Sequence, residues 1–121
     1  MEPTIAKEIE RESNQYNIGR THVKKLLERI VINGIKLEMT NKTIISNLKK
    51  VGEITRNSNN PFLTLTRITE AHELTNDRRI AQEIIGLLYL TYLSNTNNDG
   101  KLFEDNQIKE SINILTNNYR D

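Results

Sequence analysis

Apolar residues recur three and four positions apart along nearly the whole chain, and no stretch sustains the two-residue alternation of a strand between hairpin turns. This pattern predicts helices throughout. The first runs from Pro3, a residue favoured at an opening helical position, to about Gln15, with Ile5, Ile9 and Tyr16 on one side and Gly19 as its stop. Thr21 is the expected N-cap of a second, ending near Glu38. Its Val23, Leu26, Leu27, Ile30, Val31 and Ile35 are too many for a narrow stripe, so it should be central.

A third helix should open at Thr40 or Asn41, carry Ile44, Ile45, Leu48, Val51 and Ile54, and stop in the polar run Asn57 to Asn60. Asn60-Pro61 restarts the chain, since Asn caps well and Pro suits the first helical turn. The fourth helix then presents Phe62, Leu65, Ile68 and His72. Asn76 or Asp77 should open a fifth, whose Ile80, Ile84, Ile85, Leu87, Leu88, Leu90 and Leu93 cover most of the circumference, as in a buried helix. A sixth runs from about Asp105 to Tyr119 with Ile108, Ile112 and Leu115 inward. The expected architecture is all-α: a single compact bundle of five to six short helices with short connectors, residues 1–121 forming one domain.

Composition narrows the chemistry. The 121 residues hold no Cys, which excludes disulfides and thiolate metal sites. The N-terminus lacks the apolar run of a signal peptide, and the apolar-rich Ile80 to Leu93 is too short to span a bilayer. A soluble, cytoplasmic protein with no membrane partner is expected.

Net charge is only +1, but its distribution is uneven. Residues 1–18 sum to −2, 57–94 to −1 and 95–121 to −2, whereas 19–56 carries nine Lys and Arg against three Glu, or +6. Such a segment can neutralise phosphates and release counterions, the basis of sequence-independent nucleic-acid affinity. The plain alternative is a solvated helical face.

The same segment contains the best motif. Gly34 to Lys49, GIKLEMTNKTIISNLK, resembles a helix-turn-helix. Gly34 takes the small-residue position at which the two helices cross, Leu37 and Met39 flank the turn, and Thr40 to Ile44 opens a second helix anchored by Leu48. The resemblance implies that Thr40, Asn41, Lys42 and Ser46 reach base edges or phosphates, with Lys49 and Lys50 on the backbone. Three residues depart from the pattern: Glu38 replaces the turn glycine, Asn33 stands where an apolar residue is expected, and Ile45 falls where a side chain should face the groove.

Other sites are weaker. The loop Asn95 to Asn106 resembles the first part of an EF-hand, with Asn95, Asn97, Asp99 and Gly100 in place, but Asn106 stands where a bidentate Glu is needed. Calcium binding is therefore not expected. His22 and His72 lack partners at metal-ligand spacing, and His72 should be a packed, hydrogen-bonded residue. No phosphate loop, nucleophile elbow or carboxylate pair suggests catalysis. The sequence thus points to a non-enzymatic regulatory protein with no cofactor. Its expected partner is a nucleic acid, engaged through residues 19–56, or else another protein, for which it would act as adaptor, inhibitor or small subunit.

Overall fold

Helix boundaries follow local capping chemistry. The structure, a computed structural model, describes residues 3–17, 19–96 and 105–118. They form α1 (Pro3–Asn14), α2 (Arg20–Lys36), α3 (Asn41–Arg56), α4 (Pro61–Leu74), α5 (Arg78–Thr96) and α6 (Asp105–Asn118), with no strand among the described residues. The Thr40 hydroxyl accepts from the N–H of Thr43 at 3.1 Å, and Asn60 Oδ1 accepts from that of Leu63 at 3.3 Å. Asp77 Oδ1 accepts from Arg79 at 2.8 Å and Ile80 at 3.4 Å, so Asp77, not Asn76, caps α5.

The start of α2 differs from expectation. Gly19 does not end α1, which stops at Asn14; it is the N-cap of α2, with φ +71°, and Thr21 lies inside the helix. Glycine is needed there twice over. L-residues avoid that φ, and a Cβ would come within 2.8 Å of the Phe62 ring.

Packing is mutual. α2 lies against α1 and α4, α3 against α1, α4 and α5, and α6 against α4 and α5. Between them Leu27, Ile30, Leu48, Ile54, Leu65, Ile68, Ile84, Ile85 and Leu88 are fully buried, each contributing about 1.5–3 kcal/mol on burial. Ile5 of α1 and Ile108 of α6 are buried in the same core.

α5 is not buried all round. Leu87 and Leu90 are 41% and 59% exposed, and Ile35 of α2 is 52% exposed. Helical periodicity defines an apolar face, but a neighbour must reach that face to bury it, and none of the described elements covers this side of α5. No helix among the described residues is long and apolar enough to cross a membrane.

Candidate nucleic-acid interface

The α2–α3 corner is built as a tight turn. Glu38 N–H donates to Ile35 O at 3.0 Å and Met39 N–H to Gly34 O at 2.9 Å, the paired bonds of a Schellman motif. That motif requires a left-handed residue just past the helix, and Glu38 supplies it with φ 61°, the one positive φ on a non-glycine among the described residues. The glutamate that departs from the motif therefore still adopts the conformation glycine would take. Beneath it, Gly34 is buried, and a Cβ there would lie 3.1 Å from Ile44 Cγ1 and 3.5 Å from Met39 Sδ. The helices cross where the small residue permits it.

The other two departures have structural roles. Asn33 Nδ2 donates to His72 O at 2.7 Å and lies 2.9 Å from His72 Nδ1, tying α2 to α4. With Nδ1 as acceptor, the neutral ring carries its proton on Nε2. Burial pushes the His72 pKa down to about 4, so the ring is neutral near pH 7. Ile45 packs against the core instead of facing outward.

The six candidate residues do not form one equivalent set. Thr40, Asn41, Lys42 and Lys49 are exposed, while Ser46 and Lys50 are half-buried. Thr40 is occupied as the α3 cap, donating its hydroxyl to Thr43 Oγ1 at 3.0 Å. Lys42, Ser46 and Lys49, spaced four and three apart, share one face of α3. Neither Lys42 nor Lys49 makes an ion pair among the described residues. Lys50 is drawn toward α5, its Nζ 5.9 Å from the centroid of the Tyr89 ring, and the Tyr89 hydroxyl donates to Glu53 Oε2 at 3.0 Å. That bond to an anion and burial raise the Tyr89 pKa.

The basic stretch is less basic in space than along the chain. Lys24 pairs with Glu10 of α1 at 2.5 Å, and Arg56 pairs with buried Glu12 of α1. Arg29 grips Glu73 of α4 through two bonds of 2.8 and 2.5 Å, which hold the Glu73 pKa below the usual carboxylate range. Three of the nine cations are thus neutralised by other helices. Charge returns from a place the sequence sums conceal. Arg78 and Arg79, at the start of α5, line a depression with Lys36 and Glu38, and Arg78 Nη1 donates to Glu38 O at 3.2 Å. The adjacent pair of arginines after a capping Asp is the signal in the sequence. It averages away within a segment of net charge −1.

Among the described residues no group of three or more His, Asp or Glu could hold a metal ion. The EF-hand-like loop falls largely on 97–104, outside the described residues. No family model, no curated protein and no solved structure matches the chain.

Proposed function

We propose that this protein binds nucleic acid through the α2–α3 corner, with α3 as the reading helix, and acts as a binding protein and not as an enzyme. The observation that carries this reading is the left-handed Glu38 closing a Schellman turn over the Gly34–Ile44 crossing, which is the backbone geometry a helix-turn-helix needs. Asn41, Lys42 and Ser46 would reach bases or phosphates from the first turns of α3. Lys49, with Arg78 and Arg79 from α5, would hold the phosphate backbone. Lys50, engaged with Tyr89, leaves that set.

A mobility-shift series at low salt, with duplex and single-stranded probes, tests this. Wild-type protein should shift a probe at micromolar concentration, and Lys42→Glu with Lys49→Glu should weaken binding to every sequence and lower the salt slope by about one for each phosphate no longer neutralised. Ser46→Ala should change sequence preference with little change in overall affinity. No shift at micromolar wild-type protein overturns the reading.

A further inference from the structure

Two carboxyls are buried where α1 meets α3. Glu8 and Glu12, one turn apart on α1, are 6% and 3% exposed. Glu12 sits over Gly52, where a Cβ would take the space of its carboxyl, so the glycine makes a seat for an acid. Glu12 Oε1 accepts from Arg56 Nη1, and Glu8 Oε1 accepts from the largely exposed Arg11 at 2.8 Å. Glu8 Oε2 is buried and meets no donor among the described residues, yet the two carboxyls lie within hydrogen-bonding reach of each other. Ionised carboxylates only accept. A hydrogen bond between two of them needs a proton.

We propose that α1 is a proton-operated latch: Glu8 and Glu12 together hold one proton while α1 is docked on α3, and α1 loosens when that proton leaves. Burial and the adjacent Glu8 carboxyl raise the Glu12 pKa from 4.5, against the pull of Arg56. The docked pair therefore binds its proton more tightly than the undocked one, and docking weakens as pH rises through the raised value. With the proton gone, two buried negative charges share the half-buried Arg56. The remaining charges around α1 lie elsewhere. From α2, Arg20 binds Asn14 and Lys24 binds Glu10, on the opposite side of α1, where Lys7 and Glu28 also stand. On α3, Glu53 turns to Tyr89 of α5, and the hydroxyls of Tyr16 and Thr55 bond to each other. Ile5, Ile9 and Tyr16 still anchor the helix, so proton loss makes α1 open more often without unfolding the bundle.

The proposal is independent of nucleic-acid binding, and its test uses no nucleic acid. Amide exchange of the full chain is read as protection relative to an unstructured chain at each pH. From about pH 5 to about pH 8, protection of the α1 amides should fall about tenfold relative to those of α5. Carbon NMR of labelled glutamates should show one carboxyl proton leaving at higher pH than those of the exposed glutamates. Glu12→Gln and Glu8→Gln each put a permanent donor in place of the proton. Each should hold α1 protection level across the range and abolish the late titration, with circular dichroism checking that the variant folds. An α1 protection that does not fall with pH overturns the proposal, and so does a fall that survives in both variants. Wild-type glutamates that all titrate together overturn it as well, whether or not a variant folds.

Discussion

Gly34, in the last turn of α2, and Gly86, in the middle of α5, are helical glycines in opposite surroundings. At the α2–α3 corner every apparent irregularity is accounted for within the chain: Gly34 makes room for Ile44, Asn33 holds His72, and Glu38 turns the backbone. On the outer side of α5, Gly86 makes room for nothing and Leu90 stands in solvent. Glycine carries a penalty in a helix, largest in the interior, where Gly86 lies. At Gly86 nothing among the described residues repays it.

The largest expected effect contrasts the two sides of α5 itself. Leu88→Asp buries an unpaired carboxylate and should destabilise the protein by more than about 4 kcal/mol in urea unfolding. Leu90→Asp, two residues on and already exposed, should leave the melt of the dilute protein within about 0.5 kcal/mol of wild type. A large loss from both would erase the distinction between the two sides.

Next is the pH response of the corner. His72 is neutral when folded down to about pH 4, whereas the unfolded chain takes up the proton near pH 6.5. Between those values the unfolded state binds more protons, so stability falls as pH falls, by up to about 3 kcal/mol, and His72→Leu should flatten this slope. Glu12 works in the opposite sense. Burial and the neighbouring Glu8 carboxyl raise its pKa from 4.5 despite Arg56, so its contribution is present at low pH and lost as pH rises through the raised value. Comparing wild type with His72→Leu removes that common background.

The smallest effects are the most discriminating, because they should differ in sign. Gly34→Ala gains helix propensity but drives a Cβ to 3.1 Å from fully buried Ile44, and should cost about 1 kcal/mol net. Gly86→Ala meets nothing and should stabilise the dilute protein by about 0.5–1 kcal/mol. Thermal melts of both variants at one low concentration check the contrast, and a loss in both would mean that Gly86 serves the monomer after all.

What the sequence discloses follows from how far each interaction reaches. Thr40, Asn60 and Asp77 cap helices through atoms two or three residues away, so composition at the cap is enough to place three starts. Gly19 misleads because part of its reason is Phe62, forty-three residues on. Ile35, Leu87 and Leu90 look interior because period alone cannot say whether a neighbouring helix is present. In the candidate site the turn is legible from Gly34, Leu37 and Met39. The charge is not, because Glu10, Glu12 and Glu73 reach the basic stretch from distant helices.

The contact between α1 and α3 has its own consequence. Glu8, Glu12 and Tyr16 follow one another at single-turn spacing, with Glu12 against Gly52 and Arg56, and the Tyr16 hydroxyl bonded to that of Thr55. An oily seam tolerates sliding, because one methyl replaces another. Here a slip of one turn could seat Glu8 in the place of Glu12, carboxylate for carboxylate, but it would carry the ring of Tyr16 past its hydroxyl partner and push Glu12 toward Thr55 unpaired. The carboxylates alone leave two registers open, and the tyrosine admits one.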